Sequence, residues 1–364
     1  MISRLPEGLT TPALVVDVDV LEGNIARMAE AGRGGGFALR PHAKTHKCPP
    51  IAERQRAAGA VGLTVATIGE AEVFAGQGFT DLFIAYPLWA DGDKARRLRR
   101  LAETVSLRLT ADSADGARQL GAAVRGADRP VELLVEIDSG HHRTGVAPVD
   151  AAAVGKAAAD AGLDVRGVFT FPGHGYGYGP QARAQAARDE ERALTEAAEA
   201  LRAAGLAADV ISGGSTPTAA LADQGAVNEL RPGVYVFNDA TQIALGSCTP
   251  DDLALVAAAT VVSTPAPDRF VLDTGSKVLG TDVTPWVTGH GYLPDFPDAS
   301  ITALSEHHAT VVLPEGTKTP PLGSRIAVAP NHVCSAVNLV DELVITRQGE
   351  IVDRWAVAAR GANA

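Results

Sequence analysis

Short apolar, β-branched runs alternate with longer stretches rich in Ala, Arg and Glu between residues 37 and 236. The runs have the pattern of buried strands, whereas the stretches between them favour helices. There are eight such runs: Phe37–Ala43, Gly62–Thr67, Asp81–Tyr86, Val105–Thr110, Val131–Ile137, Val165–Thr170, Asp209–Gly214 and Glu229–Val236. Because parallel strands need helical crossovers, this alternation predicts a (β/α)8 TIM-like barrel. An open, doubly wound parallel sheet is the alternative that counting strands leaves possible.

The pattern changes after residue 245. Long helical patterns disappear, and β-branched runs bounded by Pro and Gly turns replace them: LALVAAATVVST, DRFVLDTG, HATVVLPEG, SRIAVAP and ELVITRQGEIVDRWAV. This predicts a second, β-rich domain. We therefore expect a barrel over residues 12–244 and a β-rich domain over residues 245–364 together with residues 1–11. A strand at Ala13–Val18 is a candidate to complete the second domain.

Composition narrows the class of protein. The chain has 364 residues, 46% of them apolar, which suffices for two domains. Its net charge of -11 disfavours nucleic acid as a partner. No apolar run approaches the roughly 18 residues of a membrane span, and MISRLPEGLTTP lacks the apolar core of a signal peptide. We expect a cytoplasmic protein with no membrane partner.

The three cysteines are Cys48, Cys248 and Cys334. They are too few and too scattered for a disulfide framework, so a functional cysteine here is more readily a metal ligand or a reactive thiol. Composition assigns no role to Cys48 or Cys248.

Polar residues follow several of the predicted strands, and reactive groups of barrels lie at the carboxyl ends of strands. Lys44 follows the first strand and is flanked by His42, His46 and Lys47. Cationic neighbours lower the pKa of a lysine towards that of a nucleophilic amine. A solvated lysine in a basic surface loop is the alternative interpretation.

The segment Ser212–Thr218 follows the seventh predicted strand. Its consecutive glycines let backbone N–H groups approach an anion, and Ser215 and Thr216 add hydroxyls where a helix begins. An ordinary Gly-rich turn with a Ser or Thr N-cap is the alternative. A phosphate site opposite a reactive lysine is the combination that pyridoxal phosphate requires.

A His-x-Cys pair lies in the second domain. If His332 and Cys334 are on a strand, they point to the same face and can bind one cation together. Imidazole and thiolate suit zinc best, with water completing an open, catalytic type of site. A buried free cysteine beside an incidental histidine is the alternative.

Six motifs together resemble a known family. They are PHAKTHK, DSGHHRTGV, FPGHGY, SGGSTPT, ELRPGVYVFND and PNHVC, in this order, and they extend over nearly the whole chain from Thr11. In order and spacing they resemble the fold-type III pyridoxal phosphate enzymes of the D-threonine aldolase and D-serine dehydratase group. Those enzymes are relatives of alanine racemase with a barrel and a C-terminal β-domain.

The resemblance implies roles for individual residues. Lys44 corresponds to the lysine that bonds the cofactor and removes the α-proton, and Arg143 to the arginine near the cofactor's phenolic oxygen. Tyr176 corresponds to the tyrosine lining the pyridine ring, with His174 beside it as a further catalytic residue. The phosphate would be held by Gly214, Ser215, Thr216, Gly233 and Tyr235. His332 and Cys334 correspond to the pair that binds the metal, Zn²⁺ or Mn²⁺.

The implied activity is that of a lyase on D-3-hydroxy amino acids. Cys334 favours a D-serine dehydratase-like elimination of water, because the family's aldolases usually have aspartate there. D-threonine aldolase, which cleaves the substrate to glycine and an aldehyde, is the alternative. An amino-acid racemase, with Tyr292 as a second base, and a non-enzymatic pyridoxal phosphate carrier are weaker alternatives. The resemblance also implies a homodimer.

Overall fold

The computed structural model describes residues 5–177, 179–222 and 225–364. These residues form two compact units. The barrel unit comprises Met28–Lys44, Ile51–Gly233 and Gly361–Ala364. The sheet unit comprises residues 5–27, Thr45–Pro50 and Val234–Arg360. The domain limits of 12–244 and of 245–364 with 1–11 stay a prediction, and residues 1–4 lie outside the described residues.

The strands and helices of the described residues are numbered in chain order. The strands are β1 (Ala13–Asp17), β2 (Ala38–Leu39), β3 (Leu63–Val65), β4 (Asp81–Ile84), β5 (Ser106–Ala111), β6 (Glu132–Glu136), β7 (Asp164–Phe169), β8 (Val210–Gly213), β9 (Glu229–Leu230), β10 (Leu255–Ala266), β11 (Arg269–Leu272), β12 (Ser300–Leu304), β13 (Ala309–Val312), β14 (Arg325–Val328), β15 (Glu342–Arg347) and β16 (Glu350–Ala356). The α-helices are α1 (Val18–Gly35), α2 (Pro49–Ala57), α3 (Ile68–Gly76), α4 (Gly92–Thr104), α5 (Ala114–Ala123), α6 (Ala151–Asp160), α7 (Pro180–Ala203), α8 (Thr216–Ala219), α9 (Ala240–Ala244), α10 (Ser276–Leu279) and α11 (Val333–Val337).

The barrel unit is built on a parallel sheet of eight strands in the order β2-β9-β8-β7-β6-β5-β4-β3. A further parallel bridge joins His42, beyond β2, to Thr64 on β3. The two ends of the sheet therefore meet, and the sheet curls into a barrel instead of remaining open. This confirms the predicted barrel, and each of the eight predicted runs overlaps one of its strands.

The first and last barrel strands are much shorter than the pattern predicts. β2 has two residues, although the apolar run extends to Ala43, and β9 has two, although the run extends to Val236. Pro41 and Pro232 explain the difference, because proline has no N–H to donate to a neighbouring strand. The chain beyond these prolines forms 3₁₀ turns at Ala43–Thr45 and Val234–Val236.

The helices between the strands begin at polar N-cap residues. The hydroxyl of Thr67 accepts the N–H of Glu70 at the start of α3, and Ser113 accepts the N–H of Gly116 at the start of α5. These caps occupy backbone donors that a helix leaves without partners at its first turn. Within the described part of the chain, we find no helix long and apolar enough to cross a membrane.

The interior of the barrel contains an ion-pair network in place of a purely apolar core. The Glu229 carboxylate accepts from Arg40 Nε at 2.8 Å, from Arg108 Nη1 at 3.3 Å and from Ser212 Oγ at 2.7 Å. Arg40 also pairs with Asp81. These two cations keep the pKa of the buried Glu229 below its ordinary value, although burial alone would raise it. The guanidinium group of Arg40 is thus paired with carboxylates of the barrel itself.

The sheet unit contains the second sheet, in the order β12-β13-β11-β10-β1-β15-β16, with β14 paired to β10. The N-terminal strand β1 is antiparallel to β10 and parallel to β15, so the sheet joins an early strand to strands of the last third of the sequence. Its core contains Leu9, Val15 and Val344, among others. The pattern predicted these strands except β12, whose short sequence SITAL has Ser300, Thr302 and Leu304 together on one face.

Replacement of Glu229 by alanine tests the ion-pair network. We expect the Glu229→Ala variant to lose about 3–5 kcal/mol of unfolding free energy, because two buried guanidinium groups lose their shared, buried carboxylate and keep only the partly exposed Asp81 and Glu132. Urea unfolding measures the loss. The control is Glu53→Ala, which removes an exposed pair with Arg56 at 2.7 Å and should cost about 1 kcal/mol or less. Equal, small losses in both variants would contradict a structural role for the network.

Candidate active site

Lys44 lies in the 3₁₀ turn that follows β2, at the carboxyl end of the barrel strands. Its backbone N–H donates to Nδ1 of His42 at 3.4 Å, so one of its predicted neighbours is in contact with it. His46 and Lys47 belong to the sheet unit, where both are buried. The turn therefore holds the lysine at the barrel mouth, where the sequence predicted it.

Three of the predicted residues meet around one aromatic ring, that of Phe171. Lys44 Nζ is 5.5 Å from the ring centroid and Arg143 Cζ is 5.1 Å from it. The ring of Tyr176 lies 6.2 Å away, centroid to centroid. These residues come from the loops after β2, β6 and β7, so the barrel brings together groups that are far apart in sequence.

His174 lies in the 3₁₀ turn Gly173–Tyr176 after β7. Both ring nitrogens are buried and have no hydrogen-bond partner among the described residues, and Nε2 is 3.8 Å from Asp189 Oδ2. Burial lowers the pKa of His174, and Asp189 only partly opposes this shift. A neutral imidazole near pH 7 can accept a proton, as a general base must.

Glu136 ends β6 at the same edge of the barrel. Its Oε1 accepts from Thr144 at 2.7 Å, whereas its Oε2 is buried without a hydrogen-bond partner in the described part of the chain. Burial raises the pKa of this carboxyl group, and the Thr144 hydrogen bond and Arg143 oppose the rise. A buried polar atom without a partner is unusual and fits a bound polar ligand.

Two backbone N–H groups of the glycine-rich loop after β8 already donate hydrogen bonds to side chains of the protein. The Gly214 N–H donates to Glu190 Oε1 at 2.5 Å, and the Ser215 N–H donates to Thr218 Oγ1 at 2.9 Å. Ser215 is the N-cap of the short helix α8, whose first residue is Thr216. Two of the amides expected to face a phosphate are thus bonded within the chain, and the phosphate role of the loop stays a prediction.

Glu190 on α7 is a buried carboxyl group that the sequence did not point to. Burial raises its pKa to about 7, while the Gly214 N–H and Arg231 oppose the rise. Arg231 follows β9, where its Nε donates to Ser212 Oγ at 2.8 Å and its guanidinium lies 4.8 Å from the Phe169 ring centroid. Burial lowers the pKa of Arg231 to about 10, against the attraction of Glu229 and Glu190.

Two further predicted phosphate residues lie on either side of a unit boundary. Gly233 is the last residue of the main segment of the barrel unit, directly after Arg231 and Pro232. Tyr235 is buried in the 3₁₀ turn Val234–Val236 of the sheet unit. Their roles also stay predictions.

His332 and Cys334 are in contact, but not in the way that the sequence predicted. The expectation that they share one face of a strand is wrong: His332 is the N-cap of α11, and Cys334 lies in the first turn of that helix. Pro330 explains the difference, because it follows β14 and cannot continue its ladder. The side chains of His332 and Cys334 nevertheless lie within hydrogen-bonding reach of each other.

A buried aspartate supports the pair. Asp239 Oδ2 accepts the Val333 N–H at 3.1 Å and lies 3.4 Å from Nδ1 of His332. The Cys334 thiolate and then Asp239 raise the pKa of His332 well above its ordinary value, although burial opposes them. Cys334 Sγ lies 3.3 Å from Oγ1 of Thr45, the residue that follows Lys44 in the chain. The carboxylate orients the imidazole as in many zinc sites.

The sequence missed Phe171, Glu136, Glu190 and Asp239. Only Glu136 carried a signal, as a carboxylate at the carboxyl end of a predicted strand. Phe171 is part of the motif FPGHGY, but an aromatic residue in a loop does not by itself identify a site. Glu190 lies on a charged helix between two other acidic residues, Asp189 and Glu191, so its burial was not apparent from the sequence.

A parallel barrel with a lysine at its mouth, together with a separate β-rich sheet, defines the alanine racemase-like class of proteins. Residues 16–241 match the family model of the N-terminal domain of alanine racemase. Residues 254–346 match the family model of a putative serine dehydratase domain. The chain therefore belongs to the fold-type III pyridoxal phosphate family, in its D-threonine aldolase and D-serine dehydratase group.

Relatives match along most of their length. The D-threo-3-hydroxyaspartate dehydratase of Delftia sp. (strain HT23) is 38% identical over 349 residues, which are 90% of this chain and 91% of that protein. A D-threonine aldolase of Arthrobacter sp. is 34% identical over 359 residues, 96% of this chain and 93% of that protein. A cysteine-to-alanine mutant of D-threo-3-hydroxyaspartate dehydratase, solved in the metal-free form, has a TM-score of 0.89 at 34% identity, covering 96% of this chain and 97% of that one.

The raised pKa of Glu190 predicts a pH-dependent contribution to stability. The folded state binds this proton more tightly than the unfolded state, whose glutamate has a pKa of about 4.5. The contribution is therefore complete below pH 4.5 and is lost as the pH rises through about 7. We expect Glu190→Gln, which keeps an acceptor for Gly214, to gain melting temperature over the parent between pH 5 and pH 8.

Melting curves at intervals across that pH range measure the difference. The control is Glu199→Gln, which changes an exposed glutamate on the same helix. If the difference in melting temperature between the parent and Glu190→Gln stays constant with pH, the Glu190 carboxyl group has the same pKa in the folded and unfolded states, and the prediction is wrong.

Proposed function

We propose that the chain is a pyridoxal phosphate- and metal-dependent lyase of D-3-hydroxy amino acids that eliminates water from its substrate. The observation that carries the proposal is the meeting of Lys44, Arg143 and Tyr176 around Phe171 at the barrel mouth. The curated relatives that match over most of this chain are lyases of D-hydroxy amino acids by name.

The barrel mouth fits the cofactor. A lysine amine, a guanidinium group and two aromatic rings lie together there, and the buried Oε2 of Glu136 and both ring nitrogens of His174 have no hydrogen-bond partner in the described residues. Pyridoxal phosphate, when bound, supplies an electron sink for the charge left on Cα after the α-proton is removed.

The residues of the chain have distinct roles in this proposal. Lys44 would hold the cofactor before substrate binds and, once its amine is released, would take the α-proton at Nζ. Arg143 balances negative charge near the lysine, and Tyr176 restricts the mobility of a planar ring beside Phe171. His174, neutral near pH 7 because burial lowers its pKa, carries a proton between substrate and water.

The phosphate end is proposed to lie at the loop after β8. Gly214, Ser215, Thr216, Gly233 and Tyr235 are the residues proposed to hold it. Since the amides of Gly214 and Ser215 already have acceptors, the hydroxyl groups and the remaining amides of the loop are its best donors. Glu190 supports this loop, because its Oε1 accepts the Gly214 N–H.

His332 and Cys334 fit a divalent metal as a donor set. Imidazole and thiolate are the ligands zinc prefers, and Asp239 is placed as the carboxylate that orients the histidine. In the described ranges no group of three or more His, Cys, Asp or Glu side chains has metal-binding geometry. Two protein ligands leave positions for water and substrate, and Zn²⁺ or Mn²⁺ there supplies a Lewis acid for the β-hydroxyl group.

D-threonine aldolase activity is the second candidate, and the similarity of the Arthrobacter sp. aldolase over 96% of this chain favours it. Cys334 supports dehydration instead, as does the 38% identity to a dehydratase. The racemase alternative has less support: Tyr292 pairs its backbone with Ala329, and burial raises the pKa of its phenol. The second sheet disfavours the carrier alternative, because carrying the cofactor would need only the barrel.

We further propose that the protein is a cytoplasmic homodimer.

The metal proposal predicts that chelation abolishes activity. EDTA treatment of the purified enzyme should remove turnover of D-serine, and Zn²⁺ or Mn²⁺ should restore it, because the β-hydroxyl is a poor leaving group without a Lewis acid. His332→Ala and Cys334→Ala should bind no stoichiometric metal by elemental analysis and should be inactive.

Cys248→Ala is the matched control, since burial raises the pKa of that thiol to about 12 and no ligand role is proposed for it. It should keep metal and activity. Full activity of a demonstrably metal-free sample would contradict the metal's role.

The products separate dehydration from aldol cleavage. Incubation with D-serine and with D-threonine should yield 2-oxo acid and ammonia, since water leaves from Cβ and the product then hydrolyses. An aldolase would instead release glycine and an aldehyde from D-threonine. Chromatography of the products distinguishes the two, and glycine as the main product would overturn the dehydratase assignment in favour of the aldolase.

A further inference from the structure

Phe171 lies at the centre of the candidate site, among the side chains of Lys44, Arg143 and Tyr176. Besides Lys44, Arg143 and Tyr176, it contacts His141, whose ring meets it edge-on at 5.6 Å between centroids. Four side chains from three loops thus touch one ring. All of them belong to the barrel unit.

The ring is not needed to fill the barrel. Phe169, two residues earlier on β7, is fully buried and packs edge-on against Phe83 at 5.2 Å. Phe171 lies beyond the end of β7 and is only partly buried. An aromatic residue that remains accessible at the mouth of a barrel, with two cations on it, is better explained by the groups it holds than by core packing.

The physical effect follows from the ring's electrons. The face of a phenyl ring attracts cations, and Lys44 Nζ at 5.5 Å and Arg143 Cζ at 5.1 Å both lie within the range of this attraction. Two like charges would otherwise move apart on their flexible stems. The shared ring keeps both near one place.

We propose that Phe171 is a positioning residue, which holds the Lys44 amine and the Arg143 guanidinium at the barrel mouth. The consequence for cofactor binding rests on the function proposed above. The positioning itself does not, because it concerns only side chains of this chain and can be measured without any cofactor.

The first test measures the reactivity of Lys44 in the full chain freed of small molecules. Limited modification with trinitrobenzenesulfonate, read by peptide mass spectrometry, compares Lys44 with Lys156, an exposed lysine on α6. In Phe171→Leu the Lys44-to-Lys156 ratio should rise about two- to fivefold near pH 7, because the ring no longer holds the Lys44 amine against it and the reagent reaches the amine more easily. Phe171→Tyr, which keeps the ring, should retain the parent ratio.

The matched control is Phe79→Leu. Phe79 also carries a cation on its ring, Arg56 at 5.6 Å, but it precedes β4 at the opposite end of the barrel. It should leave the Lys44 ratio at the parent value. Phe171→Met repeats the test with a second apolar side chain should Phe171→Leu fail to fold, as judged by its melting curve. An unchanged ratio in a folded variant without the ring overturns the proposal.

The second test measures the dissociation constant of pyridoxal phosphate by its visible absorbance. This dissociation constant should rise about two- to fivefold in Phe171→Leu and should equal the parent value in Phe171→Tyr. A uniform rise in Phe79→Leu as well would assign the effect to general destabilisation and overturn the proposal. If the parent chain binds no pyridoxal phosphate, the proposed function fails, while the reactivity ratio still decides the role of Phe171.

Discussion

One carboxylate inside the barrel holds the strands on which the candidate site depends. Glu229 on β9 contacts Arg40 beyond β2, Arg108 on β5 and Ser212 on β8, so a single side chain joins four segments across the barrel. The ladder between β2 and β9 has only two residue pairs. The ion pairs of Glu229 add to this short ladder. Because a buried charge is stable only beside its partner, the paired side chains can move little relative to one another.

The site follows from these anchored positions. Lys44 comes four residues after Arg40, and Arg231 comes two after Glu229, so short and geometrically restricted segments link the network to the barrel mouth. Glu190 supports the loop after β8 in the same way, through the Gly214 amide. The buried network therefore stabilises the barrel and also fixes the places from which the loops begin. Phe171 adds a contact among those loops themselves.

The hydrophobic pattern predicted the eight barrel strands because each buried strand leaves a local, apolar signature. It overestimated β2 and β9, where Pro41 and Pro232 end the ladder, and it put His332 and Cys334 on a strand that Pro330 ends. In each case a proline in the sequence was the available signal. His332 and Cys334 still lie within hydrogen-bonding reach of each other, one as the N-cap and the other in the first turn of α11, and their role as a metal pair stays a prediction.

The sequence by itself determined the order of strands and helices, the six motifs and the family, since all of these are properties of residues that are neighbours in the chain. Tertiary structure alone decided which charges are buried and what they touch. Glu190 and Gly214 are 24 residues apart, and Arg40 and Glu229 are 189 apart. No local pattern records such pairs, because burial and partner choice depend on the closure of the barrel. The same holds for Phe171, whose four neighbours come from three separate loops.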